Sequence, residues 1–174
     1  RQPLVTAASL FAIDARSGSP RWTRSQGAVL NPSITLAAGR LYFVECRGPA
    51  ATGHPSGRVP LPELMAADPW MVALDAASGD LAWEHPLDDH LTLSENILYL
   101  AHAQGKLVAV GSRHLASDTE YRVAAYDASS GQPAWRAAHM KGAAGEFTHG
   151  EQVHHPVILG GILVAEPVLY DLAT

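Results

Sequence analysis

Cysteine, lysine and long apolar runs are all scarce in this chain, and each scarcity removes a class of protein. Cys46 is the only cysteine among 174 residues, which excludes an internal disulfide and any cysteine-rich zinc site. The only lysines are Lys106 and Lys141, and the ten arginines are scattered through a chain of net charge −5. A clustered basic face of the kind that grips a nucleic-acid backbone is therefore not expected. Apolar stretches are cut short, as by Gly160, Gly161 and Pro167, well below the roughly 20 residues of a membrane span, so no transmembrane helix is expected. Neither a Gly-x-Ser-x-Gly elbow nor a Gly-Lys-Ser/Thr phosphate loop occurs. Helical periodicity is nearly absent, with Leu61 to Ala67 the one stretch suited to a short helical turn. What remains is 47% hydrophobic against 17% charged residues, enough to bury a core and too apolar for a disordered chain.

Self-similarity organises that apolar content. Ser9 to Trp22, Trp70 to Trp83 and Arg122 to Trp135 each place an Asp, a Gly four residues later and a Trp four residues after that. The triplets are Asp14, Gly18 and Trp22; Asp75, Gly79 and Trp83; and Asp127, Gly131 and Trp135. A fourth copy begins at 169–174 and stops before its Gly. Starting at Arg1 and ending inside that copy, the chain is expected to be a fragment of a larger protein. Successive Asp residues are 61, 52 and 44 positions apart, so a short constant unit carries inserts of varying length, and the inserts are where function is sought.

Each unit has a mechanical reading. A β-prone run (Leu10 to Ile13, Met71 to Leu74, Val123 to Tyr126) ends in Asp, whose carboxylate can accept backbone N–H bonds from the next turn. Gly then supplies the positive φ that returns the chain as an antiparallel hairpin, and Trp on the returning strand covers the join between neighbouring sheets. Further strands are expected at Leu30 to Leu36, Arg40 to Glu45, Leu91 to Leu93, Ile97 to Ala101, Lys106 to Gly111, Pro156 to Leu159 and Ile162 to Glu166. Several are apolar on both faces, as befits a small sheet covered on each side by another. About four strands per unit is the count of a propeller blade. The expected fold is all-β: a partial β-propeller of about three and a half four-stranded antiparallel blades, residues 1–174 forming part of a single propeller domain.

The motif Leu/Val-x-Ala-Leu/Tyr-Asp-Ala-x-Ser-Gly-x-x-x-Trp resembles the pyrroloquinoline-quinone-type (quinoprotein-like) β-propeller repeat. That repeat is found in quinoprotein alcohol dehydrogenases and in the non-catalytic lipoprotein of the bacterial outer-membrane assembly machinery, and the latter kind is the nearer match. The resemblance implies that Trp22, Trp83 and Trp135 dock blade on blade, and that the protein is extracytoplasmic, in the periplasm or at the outer membrane. It implies a non-catalytic binding or scaffold module, partnered by the remaining blades of its own chain and by other proteins. The alternative is part of a quinone- or metal-dependent oxidoreductase. The dehydrogenases' adjacent cysteine pair cannot be formed by Cys46 alone, so quinone binding is not expected of this fragment.

One polar constellation stands out: Thr148-His149-Gly150-Glu151-Gln152-Val153-His154-His155-Pro156. His149, Glu151, His154 and His155 are ligand types that suit zinc, copper or iron, and a transition metal is the one cofactor they allow. The spacing matches neither the His-Glu-x-x-His helix of metalloproteases nor a zinc deaminase site. Aligning Pro156 with Pro32 sets His155 opposite Asn31, with His90 in a similar place between them, so these side chains are candidates to ring a central channel. Glu45 and Glu166 end the corresponding strands and are expected to be solvated. The proline- and glycine-rich segment 46–62 reads as a long excursion loop, and Cys46, with no activating partner in sequence, as an inert thiol.

Overall fold

Three repeated hairpins make the framework. The computed structural model describes residues 6–54, 58–95, 98–115, 118–140, 157–165 and 168–173. The chain divides into two compact units, Arg1–Leu87 and Asp88–Thr174.

The first unit holds β1 (Thr6–Ala7), β2 (Leu10–Ile13), β3 (Pro20–Arg24), β4 (Ala28–Leu30), β5 (Thr35–Ala37), β6 (Arg40–Cys46), α1 (Pro49–Thr52), α2 (Leu61–Met65), β7 (Pro69–Asp75) and β8 (Leu81–Pro86). Its main sheet runs β1-β4-β6-β7-β8, with β5 on the other half of β6, and β2 pairs with β3 as a separate hairpin. The second unit holds α3 (Asp89–Thr92), β9 (Leu98–Ala103), β10 (Lys106–Leu115), β11 (Asp118–Asp127), β12 (Pro133–Met140), β13 (Val157–Leu159), β14 (Ile162–Ala165) and β15 (Val168–Asp171). Here β9 to β12 form a four-stranded sheet and β13 to β15 a three-stranded one, each strand antiparallel to its sequence neighbour. The all-β, antiparallel class expected from the repeats is what the structure has, in sheets of blade-like order.

The hairpins β2–β3, β7–β8 and β11–β12 are built alike. In each, the Asp carboxylate accepts the N–H groups two and three residues on: Arg16 and Ser17 to Asp14, Ala77 and Ser78 to Asp75, Ser129 and Ser130 to Asp127, all at 2.9 to 3.0 Å. The Gly N–H then bonds back to the Asp carbonyl, with φ of +72° at Gly18, +79° at Gly79 and +73° at Gly131. A register shift follows at the same place in each ladder, between Ala12 and Ile13, Ala73 and Leu74, and Ala125 and Tyr126. The shift leaves the residue before each Trp unpaired and fixes the face on which the Trp lies.

A second turn repeats as well. The pairs Ala38-Gly39, Gln104-Gly105 and Gly160-Gly161 all have positive φ at both residues, the requirement of a type I′ hairpin, and they join β5 to β6, β9 to β10 and β13 to β14. The residue after the second, third and fourth motif Asp is tied to this turn: Ala76 donates to the Gly39 carbonyl, Ala128 to that of Gly105 and Leu172 to that of Gly161, each at 2.9 Å.

The core of the first unit gathers Val29, Phe43, Val72 and Leu74, against which Leu10 and Trp22 of the β2–β3 hairpin pack. In the second unit Val108, Val110, Tyr121, Val123 and Ala125 of one sheet meet Leu163 and Ala165 of the next. Each interface is one sheet face laid on another, the arrangement that strands apolar on both faces demand.

Two expected strands are corrected. Leu30 to Leu36 is interrupted by a 3-10 turn at Asn31–Ser33, because Pro32 has no N–H to give the ladder. Buried Ser33 repairs the gap: its hydroxyl donates to the Leu30 carbonyl at 2.6 Å and accepts the Val44 N–H at 2.8 Å. Leu91 to Leu93 is not a strand, since the helix α3 covers Asp89–Thr92 with the Asp88 carboxylate capping the His90 N–H at 2.7 Å. The segment after Cys46 also proves more than a loop. Its N–H groups at Arg47 and Gly48 extend the β6–β7 ladder to Asp68 and Ala67, and Val59, Leu61, Leu64 and Met65 are buried.

Candidate functional site

The most concentrated charge among the described residues is a quartet at one end of the first unit's sheet: Arg24 on β3, Glu45 on β6, Arg47 just after it and Glu84 on β8. Strand alternation and pairing bring them together. Glu45 sits opposite Trp70, and Glu84 opposite Val72, two rungs apart on β7, so strand alternation puts both carboxylates on one face of the sheet. Arg24 reaches Glu45 through Nε at 3.0 Å and a terminal nitrogen at 2.8 Å, a two-pronged contact that fits a planar carboxylate. Arg47 bonds Glu45 at 2.9 Å and Glu84 at 2.6 Å, while its guanidinium lies 4.3 Å from the centre of the Trp70 ring. The Trp70 indole N–H donates to the Asp68 carboxylate at 2.9 Å.

Glu45 is fully buried, which corrects the expectation of a solvated strand end. A carboxylate is tolerated there because two guanidiniums neutralise it. The bond from Arg47 holds the Glu84 carboxyl below its ordinary range, against the opposing pull of burial. Burial works against the charge of Arg47, yet the bonds it donates to Glu84 and Glu45 outweigh it and push its pKa up. Two cations and two anions cancel, so the quartet is a neutral clamp that fastens the β2–β3 hairpin to the main sheet. The second unit has a smaller relative of it. Glu120 accepts Nε of both Arg113 and Arg122 at 2.7 Å, and Arg122 also donates to the His90 carbonyl. Burial alone would raise the Glu120 pKa, but the two arginines bring it down.

The repeat tryptophans act through their N–H groups as well as their rings. Trp22 donates to the Ala76 carbonyl at 3.1 Å and Trp135 to the Leu172 carbonyl at 3.2 Å, in both cases the residue after the Asp of the next copy. Trp22 lies so close over Gly79 that a Cβ there would fall 2.6 Å from its Cγ. Trp83 is buried, packed at 6.0 Å from the Tyr42 ring, whereas Trp22 and Trp135 are half-buried. Trp135 stacks on Tyr170, whose hydroxyl meets His139 Nδ1 at 2.6 Å.

The other candidates fall out as follows. His149, Glu151, His154, His155 and Glu166 lie outside the described residues. Among the described residues no group of three His, Cys, Asp or Glu side chains is arranged to hold a metal. Asn31 is exposed in its 3-10 turn, and His90 is half-buried on α3, its Nε2 2.9 Å from the Ala137 carbonyl. Cys46 is buried, and burial, followed by the charges of Glu45 and Asp68, pushes its thiol pKa up to about 12. Such a thiol is protonated and unreactive at neutral pH. Sequence reasoning missed the quartet, because nothing in the order of Arg24, Glu45, Arg47 and Glu84 along the chain announces that register places them together.

A family model described as outer membrane protein assembly factor BamB matches residues 4–114, the stretch that carries the first two complete repeats and the clamp. The chain belongs to this family of pyrroloquinoline-quinone-like repeat proteins. No curated protein matches it at a significant level. Among solved structures it is similar to a europium-containing methanol dehydrogenase, at 17% identity and a TM-score of 0.49, over 77% of this chain and 22% of that one. It is similar also to the quinohemoprotein alcohol dehydrogenase from Comamonas testosteroni, at 20% identity and a TM-score of 0.45, over 75% of this chain and 18% of that one. The chain thus spans about a fifth of the length of these structures, and likenesses this remote carry nothing about activity.

Proposed function

We propose that the chain is a non-catalytic binding or scaffold module of an extracytoplasmic β-propeller, whose first partners are further blades of the same repeat and whose second are other proteins. The observation that carries this reading is the uncovered face of the β13–β15 sheet. Val157, Val164 and Leu169 pair across its three strands, and Val157, Leu159 and Leu169 are 58%, 78% and 65% exposed. The opposite face, with Leu163, Ala165 and Tyr170, is already packed against the neighbouring sheet. A three-stranded sheet apolar on both faces and covered on one presents a surface for another sheet. The β2–β3 hairpin repeats the situation, with Trp22 and Leu10 packed on one side and Phe11 and Ile13 exposed on the other. Membership of a family described by outer-membrane protein assembly supports both the scaffold role and the extracytoplasmic setting.

Sedimentation velocity over a concentration series tests the reading. The chain should self-associate, and Leu159→Lys with Leu169→Lys should return it to a monomer. A wild-type chain that is monomeric throughout removes the docking face. A titration with pyrroloquinoline quinone and calcium, followed by quinone fluorescence, should show no saturable binding. Saturable binding with dye-linked alcohol oxidation would overturn the non-catalytic reading in favour of an oxidoreductase.

A further inference from the structure

Register makes the two charge clusters counterparts, and the second lacks the carboxylates that complete the first. Arg40 and Lys106 each follow a type I′ turn and each pair with a motif Asp, Asp75 and Asp127. Counting on from them, Arg113 stands where Arg47 does, and Gly111 where Glu45 does. On the return strand Arg136 is opposite Ala124 as Glu84 is opposite Val72. Glycine and a further arginine thus replace the two acids of the quartet. The place of the Glu45 side chain is filled by Ser94, with which any Cβ on Gly111 would collide. Glu120, from β11, takes over the Nε of both Arg113 and Arg122. Nothing takes over from Glu84. Arg47 gives its two terminal nitrogens to the two Glu84 oxygens, at 3.3 and 2.6 Å, whereas those of Arg113 have no partner among the described residues.

We propose that Arg113 binds one carboxylate ion from outside this chain, both oxygens on its two terminal nitrogens, with Arg122 supplying the second positive charge across the shared Glu120. Those nitrogens are within reach of solvent: the buried side-chain nitrogens and oxygens without a partner among the described residues are the Ser94 and Tyr126 hydroxyls alone. The charge is unbalanced. Arg113 and Arg122, with side chains 23% and 11% exposed, face one carboxylate that is itself 15% exposed. A half-buried cation left over in this way favours an anion beside it. Neither of two other carboxylates of this unit supplies it, since Glu95 accepts the His114 N–H at 3.4 Å and Asp88 pairs with Arg136. One excess charge and a planar fork of N–H donors suit a carboxylate, as Glu84 on Arg47 illustrates. A dianion would bring more charge than the site lacks. A small free acid and an acidic side chain of another protein share this chemistry.

The experiment follows the arginine Nε–Hε resonances of the full chain by NMR, at constant ionic strength made up with sodium chloride so that screening is held fixed. The probes are sodium acetate and a capped Gly-Glu-Gly tripeptide. The Arg113 signal should shift saturably. Saturation at equal or lower concentration with acetate identifies a small-acid site, and saturation at lower concentration with the tripeptide identifies a site for a protein side chain. Arg113→Gln, read at the Arg122 signal, should lose the saturable response. Arg136→Glu should lose it too, because a carboxylate then stands where Glu84 does. That second variant removes only an exposed ion pair, Arg136 being 65% exposed, so the fold persists in it. Shifts with neither probe saturating in wild type, or undiminished saturation in either variant, overturn the proposal.

Discussion

Replacing Gly79 by Ala tests whether the repeat glycine serves only its own turn or also the blade before it. Gly18 is the control. It has φ +72° and nothing within 4 Å of where a Cβ would stand, so Gly18→Ala meets only the left-handed backbone cost of about 1–2 kcal/mol. Gly79 has φ +79° and the same backbone cost, but its Cβ would lie 2.6, 2.8 and 3.0 Å from Cγ, Cδ2 and Cβ of Trp22. These are ring-root atoms on a packed strand, and they cannot swing aside like the end of a flexible side chain. Trp22 must move, and its bond to the Ala76 carbonyl goes with it, adding about 1 kcal/mol. Part of its packing on Val72 and Leu74 is lost too, a fraction of the roughly 3–5 kcal/mol for truncating a buried Trp outright. Gly79→Ala should therefore cost about 2 kcal/mol more than Gly18→Ala in urea unfolding of the full chain. In a Trp22→Ala background the excess should vanish, giving a coupling energy of at least about 1 kcal/mol in the double-mutant cycle. Equal costs at the two glycines, or no coupling to Trp22, would refute the claim that the turn of one copy is the floor for the tryptophan of the copy before it.

Three further outcomes follow from the same geometry. The motif carboxyls are held below their ordinary range, Asp14 chiefly by Arg21, Asp75 by the Ser78 and Ala77 N–H groups, and Asp127, at about 2, by the Ser129 and Ser130 hydroxyls. A lowered folded pKa stabilises above the unfolded value and is lost below it, so the melting temperature should fall as pH drops from about 4 toward 2, and Asp127→Asn should flatten part of that fall. A melting temperature independent of pH down to 2 would contradict it. Glu45→Gln should cost about 3 kcal/mol, because it strands Arg24 and Arg47 beside a neutral buried group, whereas Glu84→Gln at the more open end should cost about 1 kcal/mol or less. Urea midpoints that rank the two the other way would dissolve the clamp as described. Cys46 should resist a thiol-specific disulfide reagent in the native chain and react fully once urea unfolds it; immediate stoichiometric labelling of the folded chain would contradict its burial.

The Asp-Gly-Trp hairpins were legible because their spacing is local and constant: every hydrogen bond that forms the turn runs between residues at most five apart. The second turn was not, although it is just as regular in space. Gly39, Gly105 and Gly161 stand 36, 22 and 10 residues before the Asp whose neighbour they bind, since the connection between the two strands carries a different insert in each copy. Sequence pattern alone places Pro32 within a strand, because the flanking residues are apolar and β-prone, and only the compensating hydroxyl of Ser33 shows how the ladder survives it. The ordinary exposure of glutamate predicts a solvated Glu45. Its burial depends on Arg24, from another hairpin, and on the insert that follows Cys46, neither of which a strand pattern can register.

The residue after the motif Asp explains how such variable inserts leave the framework intact. At Ala76 its N–H is taken by Gly39 of its own sheet and its carbonyl by Trp22 of the hairpin before, and Leu172 repeats both bonds with Gly161 and Trp135. Its backbone thus joins the inner turn of a sheet to the tryptophan of its predecessor, and its side chain is free to be Ala or Leu. Register between successive elements is set by main-chain groups at three short turns, not by the lengths between them. An insert can then lengthen from one copy to the next, as after Cys46, without altering how one sheet face meets another. Asp, Gly and Trp recur at one local spacing because each forms the same short turn, whereas the inserts share neither length nor pattern, which is why the first set is plain in the sequence and the second is not.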